Sequence, residues 1–234
     1  LTLGVTCQEE QLKKVRETLP AMLDALPDAD FTPVVYSFAK EPLNEGFEDA
    51  SKVQYVLKGY DYKKLGYTYS GKMDVLSQLL STVYLQNTVR VQGGAYGGFS
   101  IMDDAGLLAF ASYRDPNLGK TVENYRGAPR FLSELKLDER ELRRLIIGTI
   151  ANMDQPMNPS TKGRIAVNRF MRGDTLEKLQ KERDEVLSTT LEDLKGYAKM
   201  VEDVMAQDVL CVVGNEKKIE EEKSLFKKVL PLKL

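Results

Sequence analysis

Histidine is missing from this 234-residue sequence. It is the commonest general base and the commonest metal ligand in proteins, and the zinc motifs His-Glu-x-x-His and His-x-x-Glu-His both require it. A zinc catalytic centre is therefore excluded on ligand grounds, with an all-carboxylate site as the remaining alternative. We expect no metal ligands in this chain, and we expect that it does not complete its chemistry alone.

Cysteine is scarce as well. Cys7 and Cys211 lie near opposite ends of the chain, with no Cys-x-x-Cys spacing. Each stands in an apolar, strand-like run, which favours buried free thiols over a zinc knuckle. This cysteine usage indicates a reducing compartment.

Long apolar runs and an excess of one charge are also absent. No run approaches the roughly 18 residues that a membrane span needs, and 33 basic residues nearly balance 35 acidic ones. Such a balance leaves no electrostatic footprint for nucleic acid or an anionic membrane, so we expect neither partner. The first residues lack the charge layout of a signal peptide, and the missing initiator methionine suggests a piece of a longer chain.

What the sequence does contain is a glycine-rich stretch at residues 87–98. Arg90 and Tyr96 stand six residues apart within it, among four glycines. Glycines at this density let a ligand approach the backbone closely. A guanidinium and a phenol both donate hydrogen bonds to a peptide carbonyl or to the oxyanion formed from it. Arg90 and Tyr96 are therefore candidate catalytic and substrate-binding residues, with Gly93 and Gly94 as candidate substrate-binding positions.

Structural alternatives remain open for this stretch. The arginine would then form a salt bridge, the tyrosine would be half-buried in the core, and the glycines would form a tight turn with a bulged strand. A nucleotide site is not expected, because a dinucleotide fingerprint stands between a strand and a helix N-terminus. Here the predicted order is helix, glycines, strand, and no Gly-Lys-Ser/Thr triplet follows.

A second unusual string, Ser-Tyr-Arg-Asp-Pro-Asn, occupies residues 112–117. Proline cannot continue a central strand, so we expect a strand to end here. The tyrosine, arginine and aspartate before the proline favour a local ion pair that fixes the strand exit. A substrate contact is the alternative.

The pattern along the chain predicts an α+β fold, with a mainly antiparallel sheet packed against several helices. A hairpin is predicted where residues 103–106 join two apolar runs. Asp138 and Thr190, each followed three residues later by an acid, have the spacing of capping boxes, while Pro159 and Gly173 mark a helix start and a helix end. The predicted strands are residues 1–6, 53–59, 96–101, 107–113 and 209–214; the predicted helices are residues 8–26, 71–87, 121–135 (bent or broken near Gly127 and Pro129), 139–153 and 216–229, with three further helices between residues 159 and 209.

Two domains are expected. Residues 31–46 combine Pro33, Pro42 and Gly46 with mixed residues, the composition of a linker or surface loop. We therefore assign residues 1–45 to a β-α unit and linker, and residues 46–234 to a C-terminal α+β domain. Strand, turn and charged helix recur at residues 209–229, which suggests that the first unit is the tail of a preceding domain built on the same plan. The alternative is that such units are simply common.

The glycine-rich stretch and the string at residues 112–117 together resemble one family. Val89 to Gly97, followed by Phe110 to Asn117, is similar to the C-terminal part of insulinase-like zinc metallopeptidases of the pitrilysin superfamily, in particular the presequence protease and falcilysin branch. The similarity runs from about Gly46 to the end of the chain. The earlier β-α unit fits the tail of that family's third domain. The resemblance implies a half-domain of the insulinase and mitochondrial processing peptidase type.

The resemblance further implies a zinc metalloendopeptidase that closes two halves around an unfolded peptide in an enclosed chamber. The N-terminal half would hold zinc on two histidines and a distal glutamate, with the glutamate of a His-x-x-Glu-His motif as general base. This chain would be the C-terminal, substrate-binding half, in which Arg90 and Tyr96 match the family's arginine and tyrosine in identity and spacing. The zinc-bearing half would be its partner, and the fragment alone is expected to be inactive.

Two other functions remain open. One is a non-catalytic subunit that only shapes a peptide chamber, and the other is a peptide-binding module with no zinc-bearing partner half. A His-x-x-Glu-His motif upstream would separate the enzyme from the first, and coding sequence before Leu1 would argue against the second. The expected compartment is the cytoplasm for a bacterial source and an organelle for a eukaryotic one.

Overall fold

The computed structural model describes residues 2–27, 30, 32–37 and 44–232. The chain divides into two compact units, one of residues 1–40 with 155–176 and one of residues 41–154 with 177–234. The sequence division at residue 46 did not anticipate that residues 155–176 join the first unit, and it stays a prediction. No helix in the described part of the chain is long and apolar enough to cross a membrane.

The helices and strands of the described residues follow in chain order. They are α1 (Glu9–Asp24), β1 (Asn44–Asp49), β2 (Gln54–Asp61), α2 (Lys72–Leu79), β3 (Gly97–Met102), β4 (Leu107–Asp115), α3 (Gly119–Ser133), α4 (Glu139–Met153), α5 (Pro159–Arg172), α6 (Leu176–Leu187), α7 (Leu191–Gly196), α8 (Ala198–Ala206), β5 (Leu210–Asn215), α9 (Glu216–Glu221) and β6 (Lys228–Pro231). A π-helical segment (Leu80–Val91) continues α2, and 3₁₀ turns follow β2 (Tyr62–Leu65) and α9 (Lys223–Leu225).

The strands form one mixed sheet in the larger unit, in the order β3-β4-β2-β5-β1-β6. The first four strands of this order pair antiparallel. β1 pairs parallel with both β5 and β6. The α+β class and the mainly antiparallel sheet are therefore confirmed.

One face of the sheet carries the hydrophobic core. Val56, Phe110 and Val212 stand on this face in three neighbouring strands and are at most 1 % exposed. Tyr125 of α3 packs edge-on against Phe110, with ring centroids 5.6 Å apart, and its hydroxyl donates to the Val56 carbonyl at 3.1 Å. Because side chains alternate along a strand, the intervening residues lie on the opposite face.

The outer edge of β3 is closed by the helix beside it. Ser81 of the π-helical segment accepts a hydrogen bond from the Ser100 N–H at 2.9 Å, and Ser77 of α2 donates to the Ser100 carbonyl at 3.1 Å. Gly98 lies so close to this segment that an added Cβ would be 3.1 Å from the Val89 Cβ. Serine hydroxyls thus satisfy main-chain groups that an edge strand would otherwise leave open.

A lysine is buried where β2 meets the start of β5. Lys58 is 1 % exposed, and its Nζ lies 2.6 Å from Asp208 Oδ1, which Arg126 contacts at 3.0 Å. Burial lowers the pKa of Lys58, and the hydrogen bond from Lys58 lowers the pKa of Asp208. Asn44 donates to the second Asp208 oxygen at 3.2 Å. One carboxyl group therefore links β1, β2 and α3.

The helix starts and ends that the sequence predicted from local capping signals are confirmed. Asp138 accepts from the Glu141 N–H at 2.8 Å and donates its own N–H to Glu141 at 2.9 Å, which completes a capping box. Thr190 forms a second capping box at the start of α7. Pro159 begins α5, and Gly173 ends it in the left-handed conformation with φ +69°. Each signal involves partners a few residues apart, so it can be read from the sequence.

The predicted N-terminal strand is wrong. Residues 2–6 form no strand, and residue 1 lies outside the described residues. A strand needs a neighbour to pair with, and the sheet of the described chain belongs to the other unit. Cys7 is exposed and Cys211 half-buried, so the expected burial of Cys7 is also wrong. The helix predicted at residues 8–26, in contrast, is confirmed as α1.

The predicted final helix is too long. α9 ends at Glu221, and Lys228–Pro231 form β6 beside β1. β1 itself, Asn44–Asp49, begins inside the predicted linker, of which residues 31 and 38–43 lie outside the described residues. Each of these strands is stabilised by pairing with residues far away in the sequence, so neither leaves a strong local pattern. In the supposed repeat, the strand at residues 1–6 and the length of the final helix therefore differ from the prediction, while β5 and α1 agree with it.

The helix predicted to be bent or broken near Gly127 and Pro129 is not broken in α3, and the bend stays a prediction. The helix runs from Gly119 to Ser133 with Pro129 inside it. Proline removes one helical hydrogen bond and usually kinks or ends a helix. Here Tyr125 and Leu132, on either side of the proline, are fully buried, and this packing holds the helix together.

Candidate functional site

The glycine-rich loop, residues 92–96, joins the π-helical segment to β3. Its backbone folds back on the helix end, since the Gly94 N–H donates to the Arg90 carbonyl at 2.9 Å and the Ala95 N–H to the Val89 carbonyl at 3.2 Å. Gly94 has φ +79°, a conformation that side chains other than glycine rarely adopt. An added Cβ at Gly93 would lie 2.4 Å from the Val89 carbonyl oxygen. Both glycines are thus required by the fold of the loop.

Tyr96 is presented to solvent at the end of this loop. Its side chain is 69 % exposed, and its N–H donates to the Tyr113 carbonyl at 3.1 Å. Its ring packs edge-on against Tyr113, with centroids 5.8 Å apart. Among the described residues its hydroxyl has no hydrogen-bond partner. The phenol is supported from one side and free to donate from the other.

Arg90 precedes the loop in the chain, in the last turn of the π-helical segment, and its side chain is exposed. Within the described ranges no carboxyl group forms an ion pair with it. The structural alternatives weighed from the sequence, a salt bridge for Arg90 and a half-buried position for Tyr96, therefore find no support here. Both residues stand three positions from Gly93, so one short loop carries them both.

The string at residues 112–117 anchors this loop from β4. Asp115 is fully buried, and its carboxyl group accepts hydrogen bonds from the Asn117 N–H at 2.9 Å and from the Thr121 hydroxyl at 2.7 Å. The Asn117 side chain donates to the Gly93 carbonyl at 2.6 Å. The predicted local ion pair is wrong, because Arg114 instead lies over the Tyr113 ring, 5.6 Å from its centroid.

The face of the sheet opposite the core is apolar and exposed. We define the open face as Tyr55, Leu57, Phe99, Ile101, Leu107 and Tyr113. Five of these side chains, all except Tyr55, are 39 to 48 % exposed. Tyr55 and Tyr113 pack edge-on at 5.4 Å, and Tyr113 continues the row to Tyr96. Contiguous exposed apolar surface of this kind marks an interaction site.

Sequence reasoning missed the open face. The run Leu107-Leu-Ala-Phe-Ala has apolar residues at consecutive positions, so alternation does not distinguish the two faces of β4. The sequence signal that could have predicted the open face is the presence of large apolar residues on both faces of β3 and β4. Such strands need cover on both sides.

The residues of this chain do not fit a zinc site. The sequence has no histidine, and the described part of the chain brings together no group of three or more Cys, Asp or Glu that could hold a metal ion. Arg90 and Tyr96 are hydrogen-bond donors of the kind that binds a carbonyl or an oxyanion, and neither is a usual metal ligand.

A comparison with known families matches residues 44–216 to the family described as the PreP C-terminal domain. The chain belongs to this family. The resemblance to presequence proteases inferred from residues 89–97 and 110–117 is therefore confirmed.

Curated relatives agree with the assignment. Protein HypA of Clostridium perfringens (strain 13 / Type A) is 42 % identical over 229 residues, covering 98 % of this chain and 24 % of the relative. Presequence protease 1, chloroplastic/mitochondrial, of Arabidopsis thaliana is 35 % identical over 220 residues, covering 93 % of this chain and 20 % of the relative. The PreP C-terminal chain thus spans about a quarter or less of the length of these relatives.

Solved structures share the fold. Pitrilysin aligns with a TM-score of 0.58 and 17 % identity, over 88 % of this chain and 23 % of that one. A protease from Helicobacter pylori aligns with a TM-score of 0.59 and 19 % identity, over 86 % of this chain and 52 % of that one. At these identities the likeness shows the fold alone.

Proposed function

We propose that this PreP C-terminal chain is the substrate-binding half of a zinc metalloendopeptidase that degrades unfolded peptides in an enclosed chamber. Arg90 and Tyr96 donate hydrogen bonds to the bound peptide and to the oxyanion, and Gly93 and Gly94 form the part of the loop along which the peptide passes. One observation carries the proposal. An exposed arginine and an exposed tyrosine, each without a side-chain hydrogen-bond partner among the described residues, flank one tightly bonded loop.

The open face supports a peptide as the ligand. An unfolded peptide exposes apolar side chains that a folded protein would bury, and the open face offers aromatic and aliphatic side chains to cover them. Tyr113 belongs to this face and also contacts Tyr96. A peptide lying over the face would thereby bring its backbone to the phenol.

Tyr96 has the chemistry to stabilise a transition state. When a peptide carbonyl is attacked, negative charge develops on its oxygen, and a donor aimed at that oxygen lowers the barrier. The phenol donates one hydrogen bond to it without losing its proton, and one such donor contributes roughly 2.7–4 kcal/mol. Arg90, with five N–H groups in a planar fork, holds the substrate backbone.

Zinc and the general base would come from an N-terminal half, because the residues of this chain do not fit a zinc site. A donor and a catalytic centre on separate halves must be brought together, so activity would depend on closure of the two halves. We therefore expect this chain alone to be inactive. The enzyme would act in the cytoplasm of a bacterium or in an organelle of a eukaryote.

The test is made in the two-half enzyme with a fluorogenic peptide. Tyr96→Phe keeps the ring and deletes only the hydroxyl, so kcat should fall roughly 100- to 1000-fold, with KM nearly unchanged because the lost bond forms chiefly in the transition state. Arg90→Ala should affect both parameters. Tyr36→Phe, on an exposed tyrosine of the other unit, is the matched control.

Single-turnover cleavage by Tyr96→Phe at the parent rate would rule out the oxyanion role. A parent protein that binds peptide but holds no zinc and cleaves nothing would favour the competing function, a non-catalytic subunit that only shapes a peptide chamber. Zinc bound tightly by the separate C-terminal chain would contradict the assignment of zinc to the N-terminal half.

A further inference from the structure

The loop that presents Arg90 and Tyr96 contains two adjacent glycines, Gly93 and Gly94. Glycine has more backbone freedom than any other residue, so such a loop needs outside support to hold two side chains in one geometry. The hydrogen bonds of Gly94 and Ala95 to the π-helical segment fix one side of the loop. Gly93, midway between the two functional residues, receives its support from elsewhere.

That support is a chain of three hydrogen bonds starting in α3. The Thr121 hydroxyl donates to one Asp115 oxygen at 2.7 Å, and the other oxygen accepts from the Asn117 N–H at 2.9 Å. The Asn117 amide then donates to the Gly93 carbonyl at 2.6 Å. Asp115 and Thr121 are 0 and 2 % exposed, so this chain of bonds rests on a rigid, buried base.

We propose that Asp115, Asn117 and Thr121 are positioning residues that hold the loop so that Tyr96 meets the oxyanion. The inference rests on the proposed function of Tyr96. Asp115 and Thr121 are buried, so they do not reach a substrate directly. Asn117 acts on the loop directly, while Asp115 and Thr121 act through Asn117.

The expected effect follows from the geometry. Asn117→Ala removes the bond to the Gly93 carbonyl, so the loop keeps only its bonds to the π-helical segment and the bond of the Tyr96 N–H to the Tyr113 carbonyl. A displacement of about 1 Å at a catalytic group costs up to about 100-fold in rate. We expect kcat of the two-half enzyme to fall roughly 10- to 100-fold, with KM changed less than about twofold, because a misplaced donor affects the transition state more than peptide binding.

A double-mutant cycle separates positioning from a general loss of stability. If Asn117 acts through Tyr96, then Asn117→Ala should change kcat little in an enzyme that already carries Tyr96→Phe. Asn215→Ala is the matched control, since Asn215 also donates its side-chain amide to a backbone carbonyl, that of Ser51 at 2.7 Å. This control should leave kcat unchanged.

Hydrogen exchange of the same proteins measures the loop itself. Asn117→Ala should speed exchange of the Gly94 and Ala95 amides, and Asn215→Ala should not. Thr121→Val, which keeps the shape but deletes the hydroxyl, should show the same effect more weakly, and Thr121→Ser should restore the parent behaviour.

The two proposals fail differently. If Tyr96→Phe lowers kcat but the loss from Asn117→Ala adds to it in full, the positioning role is wrong and the proposed function stands. Unchanged exchange in Asn117→Ala also overturns the positioning role. If Tyr96→Phe costs nothing, the proposed function fails, and the exchange measurement alone decides whether the loop is held by Asn117.

Discussion

The buried pair of Lys58 and Asp208 predicts an asymmetric response to mutation. Lys58→Met removes the buried charge and leaves Asp208, which is 53 % exposed, in contact with Arg126 and solvent. Asp208→Asn instead leaves the Lys58 ammonium, 1 % exposed, without its carboxylate. Asparagine also tolerates the positive φ of 55° at this position. Asp208→Asn therefore adds no backbone strain at this position.

The magnitudes follow from this difference in exposure. Removing one partner of a buried ion pair costs roughly 3–5 kcal/mol, and we expect about 2 kcal/mol for Asp208→Asn, because the new amide oxygen still accepts from Lys58. Replacing a buried charge with a well-packed apolar side chain is often neutral or stabilising. Lys58→Met should therefore change the free energy of unfolding by less than about 1 kcal/mol or raise it.

Urea unfolding at several pH values is the assay. The pKa of Asp208 is lowered in the folded protein, so its contribution to stability is present above the unfolded-state pKa and is lost as the pH falls through the folded-state pKa. The gap between the parent and Asp208→Asn should thus close in acid. The pKa of Lys58 is also lowered, so the parent should gain stability as the pH rises toward the ordinary lysine pKa. Equal destabilisation by both substitutions at neutral pH would refute the reasoning.

Two further predictions concern the loop and the open face. Gly94→Ala should lower stability by roughly 1–2 kcal/mol, because its φ of +79° strains any side chain; thermal unfolding checks this, and an unchanged melting temperature would contradict it. Phe99→Ser should leave stability nearly unchanged, because this side chain is 48 % exposed, but it should raise KM for apolar peptides severalfold in the two-half enzyme. Thr82→Ala, at an exposed position outside the open face, is the control, and equal KM values in all three proteins would argue against peptide binding on this face.

Much of the candidate site follows from the sequence, because its two donors stand within one short glycine-rich stretch. The hairpin of β3 and β4 and the capping box at Asp138 follow for the same reason, since their partners are close in sequence. The contact of Asn117 with Gly93 joins residues 24 positions apart, and no spacing rule connects them. This contact is visible only in the folded structure.

The burial of individual side chains was the property hardest to predict from the sequence. Lys58 lies in a strand that was predicted correctly, yet a lysine at such a position is expected to be exposed. Its burial depends on Asp208, which stands 150 positions later. Likewise, β1 has few large apolar residues, and its place in the sheet depends on pairing with β5 and β6.

The two edge strands of the sheet have features that bear on aggregation. A free strand edge is a template on which another extended chain can add, and repeated addition leads to fibrils. Here Ser77 and Ser81 occupy the main-chain groups of Ser100 at one edge, and the other edge strand carries the exposed Lys228 and ends at Pro231, which has no N–H to offer. These features oppose the addition of an extended chain as the next strand of the sheet. If the chain binds unfolded peptides as proposed, these edges would also hinder such peptides from templating its aggregation.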